Sequence, residues 1–177
     1  MTARARALLT DVAAALRDLS AGGVTADLAD RFVAAAAAAT PQRAAASHVP
    51  VVDQMRPIGP PLRDALLACT DELPWRPSPR VDDGGAAVAL LDFGEILDLG
   101  SLTVGAMAVG PHAEYPVHDH PPLEMYLVLG GTAAWRHGGV TDYVDRHAGD
   151  LVVNHPNDRH GVRTADDALL AVYVLDT

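Results

Sequence analysis

The chain has 177 residues, a length that fits one domain with a sizeable core. Hydrophobic residues make up 49% and charged residues 20%, an ordinary globular composition, and no run of eighteen apolar residues offers a membrane span. A formal charge of -10 argues against nucleic acid, whose phosphates need a basic footprint, and against an anionic membrane surface; it fits a cationic ligand or plain solubility.

The N-terminal stretch MTARARALLTDVAAALRDL starts basic, but Asp11 and Asp18 interrupt its apolar pattern and no cleavage site follows. It reads as a folded helix and not as an export signal. Leu8, Val12, Leu16 and Leu19 recur at helical spacing, and Gly22-Gly23 stops the run. Thr25 is expected to cap a second helix through Leu28 and Phe32 into the alanines of 34–39, ended by Thr40-Pro41. Val49 to Val52 could add a strand to the sheet that follows. A third helix is expected after Pro60-Pro61, with Leu62, Leu66, Cys69 and Leu73 on one face, stopping before Pro74. Cys69 is the single cysteine, which excludes an internal disulfide framework and fits a cytoplasmic location.

From about residue 85 short apolar segments alternate with Gly, Pro and Asp every ten residues or so. Strands are expected over 86–91, 101–109, 115–120, 124–130, 132–137, 140–145, 150–154 and 168–176, with another starting at His160. Such spacing predicts a sandwich or barrel. The fold class is therefore α+β, mainly β: a helical region, 1–84, packed on a β-barrel, 85–177. The segment LPWRPSPRVDDGG, 73–85, is the expected seam, and a protease should cut first near 74–85 if that seam is exposed.

The stretch YPVHDHPPLEMYLVLGG, 115–131, crowds metal-ligating side chains ahead of an apolar run. His118, His120, Glu124 and Tyr126 share even parity, while Met125, Leu127 and Leu129 have the opposite one. If the ladder continues across Pro121-Pro122, one face carries ligands and the other aliphatics. Two imidazoles and a carboxylate can converge on one divalent cation. In AGDLVVNHPNDRH, 148–160, Leu151 to Val153 reads as a strand, Asn154 to Asp158 as a turn, and His160 can point back into the same cavity.

His118, His120, Glu124 and Gly131 match the first metal motif of the cupin superfamily in spacing, and Gly149-Asp150, Pro156 and His160 resemble the second. The second departs from the pattern: the usual glycine after the proline is replaced around Asp158, and the histidine comes one residue sooner. The resemblance implies a cupin-type double-stranded β-helix and a metal bound by His118, His120, Glu124 and His160. More narrowly, the sequence resembles the dimethylsulfoniopropionate lyase-like cupins, which carry helices before the barrel. Tyr115, His118, His120, Glu124, Tyr126 and His160 sit where that family has its site residues, and the tyrosine two residues after the glutamate, here Tyr126, is implied to be the catalytic base.

The reaction implied is a β-elimination giving dimethyl sulfide and acrylate, with one divalent transition metal as Lewis acid. Nitrogen and oxygen ligands suit Zn, Fe, Mn, Co or Ni alike. The substrate would be a small carboxylate bearing a cation, and aromatic faces suit a sulfonium. Tyr115 is the nearest aromatic in sequence, Trp75 lies in the proline-rich seam that could fold over the barrel mouth, and Tyr173 is on the final strand. His48, His112, His137, His147 and His155 fall outside the motif positions. Two other readings compete. The same ligands could serve a cupin dioxygenase or isomerase. A zinc-binding sensor of the anti-sigma type would need a His/Cys cluster in the N-terminal helices, where only His48 and Cys69 occur. The sequence leaves the oligomeric state open, a homodimer included.

Overall fold

A computed structural model describes residues 2–55, 61–137 and 140–177. Helix α1, Thr2–Leu19, buries Leu8, Val12 and Leu16 as expected, together with Leu9, whereas Leu19, expected on the same face, is exposed at the helix end. Helix α2, Gly23–Ala38, starts one residue after Gly22, so Thr25 lies inside it, its hydroxyl donating back to the Gly22 carbonyl. Two positive-φ glycines, Gly22 and Gly23, make the turn that Thr25 was expected to cap. Thr40–Pro41 then forms a two-residue strand, β1. Val51 and Val52 are buried in a 3-10 turn, Pro50–Met55, and not in a strand. Their β-branched side chains face the core, and the Val51 N–H donates to the Gly85 carbonyl at 3.2 Å. Pro60, expected to precede the third helix, lies outside the described residues; α3 runs Pro61–Leu67, and Cys69 and Leu73 follow it as the two caps of a 3-10 turn, Thr70–Glu72.

The remaining strands are β2, Arg76–Pro77; β3, Val88–Asp92; β4, Leu97–Asp98; β5, Leu102–Val109; β6, Glu114–His118; β7, Glu124–Gly130; β8, Thr132–Arg136; β9, Val144–His147; β10, Leu151–Asn154; β11, His160–Thr164; and β12, Leu169–Asp176. They build a six-stranded sheet in the order β10-β7-β12-β5-β3-β2, a four-stranded sheet in the order β6-β11-β8-β9, and a small β1-β4 pair. Every pairing between these strands is antiparallel. Residue 75, in the expected seam, is buried, and residues 76–77 pair with β3 as an edge strand of the sheet, while 79–86 form an irregular, largely exposed connection into β3.

Two apolar cores result. One lies between the sheets and contains Val88, Met107, Val109, Tyr126, Val128, Val152, Leu169 and Ala171 from the larger sheet, with Tyr115, Ala133, Trp135 and Val162 from the smaller. The other lies between the outer face of the six-stranded sheet and the helices. There Leu8, Val12, Phe32 and Leu66 meet Val104, Met125, Leu127, Leu129, Val172 and Val174. Along β7, odd residues therefore face the helices and even residues the barrel interior, as a period of two requires. Among the described residues no helix is long and apolar enough to cross a membrane.

Candidate metal centre

The ligand residues come from both sheets. His118 closes β6 in the smaller sheet, opposite His160 at the start of β11. Glu124 opens β7 in the larger sheet. Residues 119–123 cross from one sheet to the other, carrying His120. The single ligand-bearing strand face expected from parity is thus two strand ends and a crossover. Pro121-Pro122 has no N–H to continue a ladder, and the chain changes sheet there.

His118, His120 and His160 nevertheless meet at the barrel end. Their ligand atoms all lie within 4.8 Å of one another, a group that could hold a metal ion. Each imidazole is aimed by its own backbone contact. The Nδ1 atoms of His118, His120 and His160 lie 2.8, 3.2 and 2.8 Å from the carbonyls of Pro116, Pro122 and Asp158. A carbonyl only accepts, so each Nδ1 carries a proton; the Nε2 atoms of His118 and His160 are left to serve as ligands, and that of His120 is freed once it gives up the proton it donates to Glu124. His160 is buried and its Nε2 has no hydrogen-bond partner among the described residues. It lies 3.2 Å from Glu124 Oε2 without being aligned to bond to it, while His120 Nε2 lies 3.2 Å from the same oxygen in bonding geometry. A buried imidazole lone pair beside a buried carboxylate fits a cation's donor set.

Electrostatics agree. Burial pushes the His118 imidazole down to about 4, so it is neutral at pH 7 and ready to ligate. The hydrogen bond to Glu124 raises His120, against burial. Burial pushes the Glu124 carboxyl up, but the hydrogen bond from His120 and the close approach of the His120 and His160 imidazoles outweigh it and hold the group below its ordinary range. Glu124 is therefore an anion, 3% exposed.

Tyr126 faces the interior beside this group, with its ring centroid 5.0 Å from Trp135 and 5.7 Å from Tyr173. Burial first and the Glu124 charge second push its hydroxyl well up. A cation at the histidines acts in the opposite direction. Tyr115 sits edge-on to His118 at 5.0 Å; burial raises its hydroxyl and the nearby Arg80 guanidinium draws it partly back. Tyr173 reaches the same core, where Gly105 leaves room for its ring. Trp75 is not brought there. It lies in the core beneath the helices, its Nε1 donating to Thr70 Oγ1 at 2.9 Å.

Two residues escape a reading of the sequence. Asn154 closes β10, inside the strand expected over 150–154 and not in the turn read from Asn154 to Asp158, and the contact that went unread is its Nδ2 donating to Glu124 Oε2 at 3.1 Å. Its polarity beside a His-Pro pair mimics a turn, and only the strand register opposite Glu124 reveals it. Trp135 is the other, signalled by odd-parity burial with Ala133 in β8. In the second motif, Asn157 takes the left-handed turn at φ 65, a conformation asparagine tolerates, and its N–H donates to the His120 carbonyl at 2.8 Å. The loop is thereby tied to the ligand crossover. His48, His112 and His137 lie against Asp53, Asp166 and Arg146, away from the cluster.

Residues 83–171, half of the chain, match the model of the family described as dimethylsulfoniopropionate lyase. The chain belongs to this lyase family. Its structure is similar to a crystal structure of the DMSP lyase DddQ from Ruegeria pomeroyi DSS-3, at 23% identity and a TM-score of 0.77, covering 98% of this chain and 91% of that one. It is also similar to a chain from crystal structures of the DMSP lyases RdDddP and RnDddQII, at 27% identity and a TM-score of 0.66, covering 97% and 93%. A cupin 2 conserved barrel domain protein from Rhodopseudomonas palustris matches at 17% identity and a TM-score of 0.50, covering 60% and 73%. No curated protein matches the sequence. The lyase family's fold here is the expected one, a cupin barrel with helices layered on one sheet.

Proposed function

We propose that this cupin lyase cleaves dimethylsulfoniopropionate, or a related small carboxylate bearing a β-leaving group, by metal-dependent β-elimination. His118, His120, Glu124 and His160 hold the cation, and Tyr126 is the base. One observation carries the reading: three imidazoles, each with Nδ1 fixed on a carbonyl, converge through their other nitrogens beside a buried carboxylate. In this reading the boundary expected at 84/85 moves forward: the helices before residue 73 form the layer, and the barrel, with β2 as an edge strand, is catalytic.

A divalent cation bound there supplies Lewis acidity to the substrate carboxylate and makes the proton on the adjacent carbon more acidic. Tyr126, ionised, takes that proton on its phenolic oxygen. The electron pair left behind forms the carbon–carbon double bond as the carbon–sulfur bond breaks. Dimethyl sulfide leaves with the bonding pair, neutralising the sulfonium, and acrylate keeps the carboxylate; the proton passes from Tyr126 to solvent. Tyr115, Tyr173 and Trp135 offer aromatic faces to the sulfonium. Trp75, buried under the helices, has no part in this pocket.

The test is headspace dimethyl sulfide from purified protein incubated with dimethylsulfoniopropionate and added Fe, Mn or Zn. Release that needs the metal, and acrylate in equal amount, is the expected result. No release with any metal, from protein that demonstrably binds one, would remove this substrate from the reading.

A further inference from the structure

Glu124 is held by a residue outside the histidine motif. Asn154 lies directly opposite Glu124 in the pairing of β10 with β7 and is completely buried. Its Nδ2 donates to Glu124 Oε2 at 3.1 Å. Turning the amide round would set Oδ1 against a carboxylate oxygen, two acceptors face to face, so the donor must point at Glu124. A carboxylate oxygen has two lone pairs. Asn154 occupies one on Oε2, and the same atom faces His120 Nε2 and His160 Nε2 at 3.2 Å each. Asn154 Oδ1 is left buried without a hydrogen-bond partner among the described residues. An unpaired buried acceptor costs about 1–3 kcal/mol. Packing alone would favour leucine, which has a similar size and no polar atoms.

We propose that Asn154 is a positioning residue for the cation: its amide locks the Glu124 carboxylate so that one fixed lone pair of Oε2 meets the ion beside His120 and His160. The inference rests on the reading that this site binds a divalent metal. Without the amide, the carboxylate regains rotation about its terminal torsion, which is soft, and can turn away from the imidazoles. Partners that orient a ligand in this way are worth about 10–100-fold in metal affinity.

The test compares the full chain with its Asn154→Leu and Asn154→Ala variants. Zinc affinity is read by competition with a chromophoric chelator, and ligand geometry by the visible absorption of the cobalt(II)-loaded protein. Asn154→Leu should keep a β-rich circular dichroism spectrum and a wild-type melting temperature, yet bind zinc about 10–100-fold more weakly, with shifted cobalt bands. A merely structural asparagine would alter the melting temperature and leave affinity and spectrum alone; that result in either folded variant overturns the proposal. If neither variant folds, the wild-type chain decides. The Asn154 side-chain amide should exchange slowly with solvent and shift in the NMR spectrum on zinc addition, and fast exchange without a shift overturns the proposal. None of these readouts involves a lyase substrate. Wild-type protein that binds zinc but releases no dimethyl sulfide refutes the lyase chemistry and leaves Asn154 standing. Wild-type protein that binds no zinc refutes the metal centre and the Asn154 role together.

Discussion

Tyr126 and His120 show how single side chains divide the work at this site. Tyr126→Phe keeps the ring that packs against Trp135 and removes the proposed base. Turnover should fall at least ~100-fold, the usual scale for losing a general base, with metal content and melting temperature unchanged. Near-normal turnover with metal bound would reduce Tyr126 to a packing residue. If the site binds the proposed metal, His120 should set the pH dependence of its uptake. Its hydrogen bond to Glu124 raises its pKa above the ordinary value of 6.5, whereas His118 is held down near 4. A proton on His120 competes with the cation, so affinity should rise with pH and level off once pH exceeds the raised His120 value. His118 stays neutral throughout this range. Calorimetry in buffers of different ionisation enthalpy should find protons released on binding just above pH 6.5, with fewer at higher pH. Release that grows with pH would point to another group. The histidines of the candidate metal centre are legible in the sequence because ligand spacing is rigid. Asn154 is not, because an orienting residue has no fixed distance from the motif and acts across a strand pair.

At the scale of elements, β7 is the most legible part of the chain. It is buried on both sides, yet its even positions carry Glu124 and Tyr126 and its odd positions only aliphatics, so the period of two survives. Strands β1 and β2 leave no such trace: each is two residues long and contains a proline, too short for any period. Val51 and Val52 mislead for the opposite reason, since β-branched residues fill a 3-10 turn as readily as a strand when burial is what they provide. The turn from β7 into β8, where the chain changes sheet, depends on Gly131. It holds φ 82, and a Cβ there would collide with the Ala168 carbonyl. Gly131→Ala should cost about 2 kcal/mol or more through strain and collision. In a chain of this size that lowers the melting temperature by roughly 4–8 °C. Gly100, at φ 65 with open space around it, is the control. Gly100→Ala carries the strain alone and should cost less. Equal losses at the two positions would mean that the Ala168 contact relaxes at little cost.

For the whole molecule, the helices are the missing wall of a half-built core. The six-stranded sheet has two apolar faces, one turned to the smaller sheet and one to α1, α2 and α3. A barrel cut free of residues 1–73 would expose Val104, Met125, Leu127, Leu129, Val172 and Val174, all buried in the full chain. Burial of such a side chain is worth about 1.5–3 kcal/mol, so even the lower figure over these six gives about 9 kcal/mol. A whole domain is stable by only about 5–15 kcal/mol. The loss is compounded at the ligand end, because Met125 shares β7 with Glu124 and Tyr126, and loosening one face loosens the other. The truncated chain should therefore be insoluble or bind a hydrophobic dye, lack a cooperative melting transition, and fail to retain zinc. Limited proteolysis of the intact protein tests the same idea without truncation. The segment at 73–78 is anchored by Trp75, Ser78 and the β2–β3 pairing. It should resist cleavage for as long as the barrel does, instead of being cut first as its proline-rich sequence invites. A stable, zinc-binding product starting near residue 74–85 would show that the barrel stands alone, and that the helices serve something other than its stability.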